Sequence, residues 1–201
     1  MKKAFKAIIN LVGYFFAVIF NPFICKCWRV FVCSINTANF KISLKKHGRN
    51  INVGQHNLFE GLKYVEIGNN FSSLDNLWIG AYDSYGKFKN QYKGRIKIGN
   101  NVHLSRNCHI GSITGVEIGD NTLIGSNVLI SDHDHGKSND FSDSRNKVPL
   151  YSKGKIIIGK NVFIGDNCSI LSGASIGNNC VIGANSVVTS SFEPNSLIAG
   201  N

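Results

Sequence analysis

The stretch that decides the fold lies between residues 118 and 189, and it contains IGDNTLIGSNVLIS (118–131), IGKNVFIGDNCSI (158–170) and IGNNCVIGANSVVT (176–189). In each segment an aliphatic residue returns every six positions, and Gly and then polar residues including Asn usually follow it. The same spacing extends upstream to Ile98 and, more weakly, to Val53. A short fixed period is typical of a solenoid, in which each repeat buries its apolar face against its neighbours.

The residues after each aliphatic position predict how the solenoid turns. Gly and Asn tolerate positive φ, so they allow a sharp corner after each short strand. Three hexads then make one triangular coil, and stacked coils form three parallel sheets with strands about 4.8 Å apart. The fifth hexad position holds small residues, including Cys108, Cys168 and Cys180. These cysteines are therefore expected to be buried apolar residues rather than disulfide partners.

Two segments interrupt the repeat. The first, AYDSYGKFKNQYKGR (81–95), lacks hexad character and predicts a surface loop over 81–96. The second follows Ile130, because the pattern resumes only at Ile158, and it predicts a loop over 132–155 that begins DHDHG. Insertions this long in a compact domain are often functional. By contrast, His103 and His109 occupy the outward last hexad position and are expected to be surface residues.

The net charge of +10 is concentrated at the N-terminus. Residues 1–50 contain nine Lys and Arg and no acid, whereas residues 51–201 are nearly neutral and show no nucleic-acid-binding motif. This distribution disfavours a nucleic-acid partner. We therefore divide the chain into a basic, hydrophobic and helical arm (1–50) and a β-helix domain (51–201).

The arm has two possible roles. The run between Lys6 and Lys26 carries no charge and is nominally long enough to span a bilayer, but Asn21-Pro22 breaks a helix there. Basic residues flank both ends, so the positive-inside rule predicts an anchor that dips into the cytoplasmic face of the inner membrane. The alternative is that residues 5–35 form a helix that caps the first coil or packs between subunits.

The tandem hexads, the His-containing insertion and the closing PNSLIAGN (194–201) resemble the hexapeptide-repeat acyltransferases, and within them the sugar O-acetyltransferases of bacterial surface-polysaccharide clusters. The resemblance covers about residues 51–201. It implies an all-β fold, the left-handed parallel β-helix, and a homotrimer with active sites between subunits. It also implies acetyl-CoA as co-substrate, no metal, and a sugar or glycan hydroxyl as acceptor, whether free or lipid-linked. Since CoA is a cytoplasmic metabolite, the enzyme is expected in the cytoplasm.

The resemblance also implies a general base in the insertion. In the family this base is a His eight residues after the Asn that is here Asn127, which points to His135, and His133 is the alternative. An imidazole with an ordinary pKa of about 6.5 is largely neutral yet basic near neutral pH. Asp132 or Asp134 is expected to fix its tautomer by accepting a hydrogen bond from the other ring nitrogen.

The family binds CoA along the groove between neighbouring β-helices, through backbone and small side chains of the last coils. By motif match the expected contacts in this chain are Asp166, Gly173, Ala184, Thr189 and Ser190. Family members usually run on after AGN with a segment whose basic residue can meet the CoA phosphates. Because this sequence stops at Asn201, either that segment is missing or CoA is anchored differently.

Two rival functions stay open. An N-acyltransferase acting on an amino sugar nucleotide would need the same base and donor. A non-catalytic β-helix scaffold, or a metal-binding relative that uses the Asp-His-Asp-His run, is the second rival. The metal hypothesis lacks further ligands at a usable spacing.

Overall fold

In a computed structural model, which describes residues 2–90, 93–137, 139 and 144–200, two helices precede a three-sided parallel β-helix. The helices are α1 (Lys2–Ile19) and α2 (Pro22–Ser43). The break between them has a local cause. Asn21 caps α2 by accepting a hydrogen bond from the Phe23 amide at 2.8 Å. Pro22 occupies the first turn, where its missing N–H has no intrahelical partner to lose.

Three faces of short parallel strands form the β-helix. The first face contains Lys46–His47, Val65–Ile67, Ile96–Ile98, Val116–Ile118, Ile156–Ile158, Ser175–Ile176 and Ser191–Phe192. The second face contains Ser72–Ser73, His103–Leu104, Leu123–Ile124, Phe163–Ile164, Val181–Ile182 and Leu197–Ile198. The third face contains Leu58–Glu60, Trp78–Ala81, His109–Ser112, Leu129–Ser131, Ser169–Leu171 and Val187–Val188.

Stacking in register places equivalent hexad positions above one another. On the third face, for example, Ile110 pairs with Ile79 on one side and with Ile130 on the other. The aliphatic columns of all three faces point inward and are almost completely buried. Cys108, Cys168 and Cys180 are also buried inside and have no disulfide partner, as the repeat predicts.

Asparagine makes the corners. In the described part of the chain, every non-glycine residue with positive φ is Asn, except His56. Stacked corner asparagines also hydrogen-bond to one another, as Asn107 donates to Asn127 at 2.8 Å and Asn127 donates to Asn167 at 3.0 Å. The same residue type therefore supplies both the turn and a ladder that holds successive coils together.

The C-terminal half of α2 covers the open end of the first coil. Phe40 is 1% exposed and packs against the Phe59 ring, with the centroids 4.4 Å apart. Thr37 accepts a hydrogen bond from the Val53 amide at 3.0 Å. Nearer the N-terminus of the same helix, Arg29 forms an ion pair with Asp75 at 2.8 Å. These contacts fix α2 to the β-helix.

By contrast, α1 and the first turns of α2 leave their large apolar side chains exposed. The exposed set includes Phe5, Ile8, Ile9, Leu11, Val12, Tyr14, Phe15, Phe16, Val18, Ile19, Phe20, Phe23, Ile24 and Trp28. Among the described residues, no single helix is long and apolar enough to cross a membrane. The stretch Phe5–Ile19 and α2 meet that length and composition only as a pair, bent by 40°.

Both interrupting loops leave the corner between the third and first faces, which we call the loop corner. Within the first loop, Ser84–Tyr85 pairs with Phe88–Lys89 as a small antiparallel hairpin. Within the second loop, Asp134–His135 pairs with Leu150–Tyr151. Residues 91, 92, 138 and 140–143 of these loops lie outside the described residues.

Candidate active site

A buried carboxylate lies at the base of the loop corner. Asp132 directly follows a strand of the third face and is 0% exposed. Its two oxygens accept five hydrogen bonds from the preceding coil, which come from the Ser112 and Thr114 hydroxyls and the Ile113, Thr114 and Gly115 amides, at 2.6 to 2.8 Å. Burial by itself would raise the pKa of Asp132, but the hydrogen bonds from His133 and from these groups hold it below its ordinary value.

His133 lies against this carboxylate. Its Nδ1 is 3.2 Å from Asp132 Oδ1, and its side chain is 12% exposed. A carboxylate at Nδ1 favours the tautomer with the proton on that nitrogen, which leaves the Nε2 lone pair free to take another proton. The pair therefore has the arrangement of a general base and the group that orients it.

The imidazole of His133 lies over a glycine of the third face. A Cβ on Gly111 would be 3.1 Å from His133 Cε1 and 3.3 Å from His109 Nε2, so the two rings meet where Gly111 has no side chain. His109 also stacks on Trp78, with centroids 4.0 Å apart and the planes 3° from parallel. Burial, and secondarily the charge of His133, lower the pKa of His109.

The position of His109 corrects the sequence-based expectation that it is a surface residue. Its side chain is partly buried, and its Nε2 has no hydrogen-bond partner in the described part of the chain. His103 is also partly buried, and Ser72 Oγ lies 2.7 Å from its Nδ1. The His133 ring, which comes from the second loop, folds back beside His109, so this outward hexad position is not fully exposed.

Tyr82, from the first loop, completes the cluster. Its ring lies edge-on to the His133 ring, with centroids 5.9 Å apart. It folds over Gly80, where a Cβ would collide with the phenol. Burial first, and then the nearby Glu60 carboxylate, raise the pKa of Tyr82 to about 12. The phenol is therefore protonated near neutral pH and can donate a hydrogen bond.

The structure places Asp134 and His135 differently. Both belong to the hairpin of the second loop, and both are exposed. The His135 ring contacts Tyr85 edge-on, with centroids 5.0 Å apart. Within the described residues, no hydrogen bond joins either side chain to an orienting partner such as the one that His133 has in Asp132.

The five residues expected to contact CoA lie at both ends of the last two strands of the third face. Gly173, Thr189 and Ser190 follow these strands, at the corner between the third and first faces that both loops leave in earlier coils. Asp166 and Ala184 precede them and are exposed. Asp166 Oδ1 accepts a hydrogen bond from the Ser126 amide at 2.6 Å, so this carboxylate already links two coils.

No metal site is evident in the parts of the chain that the structure describes, because no group of three or more His, Cys, Asp or Glu side chains is arranged to hold an ion.

Two hexapeptide-repeat family models match parts of this β-helix. The family model "Bacterial transferase hexapeptide (six repeats)" matches residues 155–190, and "Hexapeptide repeat of succinyl-transferase" matches residues 95–131. No curated protein sequence matches the chain significantly.

Solved structures with the same fold include three acyltransferases. The S84C mutant of AntD, an N-acyltransferase from Bacillus cereus, in complex with dTDP-4-amino-4,6-dideoxyglucose and coenzyme A, has a TM-score of 0.62 at 23% identity, over 76% of this chain and 77% of that one. Galactoside acetyltransferase in complex with coenzyme A has a TM-score of 0.51 at 29% identity, over 81% of this chain and 64% of that one. The hexapeptide-repeat acetyltransferase VCA0836 from Vibrio cholerae has a TM-score of 0.54 at 22% identity, over 84% and 76%.

These comparisons confirm the left-handed parallel β-helix and the resemblance to hexapeptide-repeat acyltransferases that the sequence predicts.

Proposed function

We propose that the protein transfers an acetyl group from acetyl-CoA to a sugar hydroxyl, with His133 as the general base and Asp132 as the residue that orients it. The observation that carries this proposal is the contact of His133 Nδ1 with the buried Asp132 carboxylate at the loop corner. Its support from the comparisons is the shared fold of acyltransferases that bind coenzyme A.

The proposed reaction needs one proton shuttle. His133 Nε2 takes the proton of the acceptor hydroxyl as its oxygen attacks the thioester carbonyl. The tetrahedral intermediate then collapses, the carbon–sulfur bond breaks, and the imidazolium returns the proton to the leaving thiolate. The products are the sugar acetate ester and free CoA. The Tyr82 ring lies edge-on to this base.

Preferring His133 reverses the order of the two histidines that the family offset suggested. Two geometric facts support the change. His133 has a buried carboxylate partner, and its ring is surrounded by protein, whereas His135 is exposed in a hairpin. A base that is held in one orientation contributes more to the rate than one that must be ordered in each turnover. His135 is kept as the alternative base.

Acceptor chemistry is the point on which the rival N-acyltransferase differs. The test is CoA release from acetyl-CoA with matched sugars that carry a hydroxyl or an amino group at one carbon, followed by mass spectrometry of the product. An acetate ester on the hydroxyl sugar supports the proposal. Transfer only to the amino sugar would establish the rival. If neither sugar causes CoA release, both proposed activities are contradicted.

Membrane attachment through the arm is the second part of the proposal. Its support is the exposed apolar surface of α1 and early α2, flanked by Lys6 and Lys26. A bent pair of this kind can lie in the cytoplasmic leaflet, with about 1 kcal/mol of attraction per cation near anionic lipids. Protein that stays in the membrane pellet after a high-salt wash supports the anchor, and protein that is fully released contradicts it.

The proposed assembly is a homotrimer in which flat faces pack together and CoA lies between neighbours, near Asp166, Gly173, Ala184, Thr189 and Ser190. Light scattering in mild detergent measures the mass. An active monomer would contradict a site shared between subunits.

A further inference from the structure

A cavity of about 900 Å³ lies between α2 and the first coil of the β-helix. One wall is the C-terminal part of α2, including Asn39 and Phe40, and the opposite wall is the start of the third face with Glu60. Tyr82 also lines this cavity. Because the Tyr82 ring contacts the His133 ring, the cavity is separated from the proposed base by a single side chain.

The lining of the cavity is polar, with an apolar floor. Phe40 and Phe59 form the floor, and amides, phenols and carboxylates form the rim. Tyr64 donates a hydrogen bond to Asp83 Oδ2 at 3.0 Å, while the Asn39 side chain is exposed and makes no hydrogen bond within the described residues. A volume of this size with a few polar groups over an apolar surface is typical of small-molecule sites.

The charges of the rim argue against a phosphate ligand. Among the described lining residues, Glu60 and Asp83 are acidic and Lys63 is the only Lys or Arg. The phosphates of CoA would therefore meet more negative than positive charge here. A neutral ligand rich in hydroxyl groups suits the rim better, because carboxylate and amide oxygens accept from hydroxyls and amide and phenol groups donate to them.

We propose that this cavity, walled by α2, binds the acceptor glycan and presents one of its hydroxyls to His133 past Tyr82. This inference rests on the proposed function, because it assigns the acceptor of that same reaction. It also gives α2 a role beyond covering the first coil. The helix that continues into the exposed apolar arm would form part of the acceptor site, which suits a glycan held at a membrane surface.

The test fills the cavity and leaves the base untouched. Asn39→Trp places a bulky side chain at the wall from an exposed position on α2. Ile42→Trp is the matched control, since Ile42 is 82% exposed on the same helix and does not line the cavity. Binding is measured by saturation-transfer NMR with methyl β-galactopyranoside and methyl N-acetyl-glucosaminide, in the full chain in detergent and without acetyl-CoA.

We expect saturation transfer to at least one glycoside with the wild type and with Ile42→Trp, and its loss with Asn39→Trp. In kinetics with the accepted sugar, Asn39→Trp should raise the KM for the glycan by about ten-fold, because the new side chain blocks part of the cavity. The KM for acetyl-CoA should stay unchanged. No saturation transfer with the wild type, or equal transfer with Asn39→Trp, would overturn the proposal.

Failure of the site and failure of the proposed function give different results. If the wild-type protein binds the glycosides and Asn39→Trp abolishes that binding, but no CoA is released, the glycan site is supported and the acetyltransferase function is contradicted. If the wild-type protein acetylates glycans and Asn39→Trp does not change the KM for the glycan, the function is supported and the glycan site is contradicted.

Discussion

At the scale of single residues, two neighbours of His133 set the orientation and position of its ring. Asp132 fixes the ring through Nδ1, and Gly111 leaves the space in which the ring lies. Sequence reasoning found His133 and Asp132 as candidates because both lie in an insertion that the repeat does not need. The family offset favours His135 over His133, and the sequence does not separate Asp132 from Asp134, because that choice depends on which carboxylate receives hydrogen bonds from the preceding coil.

The space at Gly111 gives a first prediction. In Gly111→Ala the new methyl would lie 3.1 Å from the His133 ring and 3.3 Å from His109, so the imidazoles must shift by a few tenths of an ångström. Misplacement of a base on this scale is expected to lower kcat by about ten- to a hundred-fold, with thermal stability changed little. Gly183→Ala is the control, because its methyl would make only an ordinary contact at 3.5 Å. Equal kcat in both variants would mean that the His133 position does not matter.

The buried carboxylate gives a second prediction, on pH. The pKa of Asp132 is lower in the folded chain than its ordinary value, so ionisation favours folding. This contribution is full above the unfolded pKa of about 3.9 and is lost as pH falls through the folded value. Urea unfolding from pH 7 to pH 2.5 should therefore show the wild type more stable than Asp132→Asn at neutral pH, with the difference shrinking in acid. A difference that grows toward low pH would contradict the assigned sign.

At the scale of elements, the strands and corners that form the repeat could be predicted from the sequence. The six-residue period predicts the strands and the corners, and positive φ at Asn107, Asn121 and Asn161 shows the mechanism that was inferred for them. The break at Asn21-Pro22 also appears where the residues disfavour a helix. The packing of α2 was only one of two open alternatives, because periodicity says nothing about what covers the end of a solenoid.

The covering role of α2 predicts different costs for two phenylalanines on one helix. Phe40 is buried against the first coil, whereas Phe31 is 56% exposed. Phe40→Ala should lower the free energy of unfolding by about 3 to 5 kcal/mol, from lost burial and a cavity. Phe31→Ala should change it by less than about 0.5 kcal/mol. Denaturant titration in detergent compares them, and similar losses would show that α2 does not pack on the coil as described.

At the scale of the whole molecule, the site combines parts that are far apart in sequence. His133 comes from the second loop, Tyr82 from the first, His109 from a strand between them, and the cavity wall from α2. Outward positions of a β-helix are not constrained by the core, so nothing periodic marks Trp78, Tyr82 and His109 as neighbours. Only the stacking register brings them together, and that register depends on where the insertions lie.

The role of His133 as the general base is tested by comparing it with His135, two residues further along the chain. CoA release from acetyl-CoA with an accepted sugar should fall by about 10² to 10⁴ in His133→Ala, the usual contribution of a positioned base, and by less than about three-fold in His135→Ala. Circular dichroism of both variants controls for folding. A collapsed rate in His135→Ala with an unchanged rate in His133→Ala would contradict the assignment of His133 as the base, and so would unchanged rates in both.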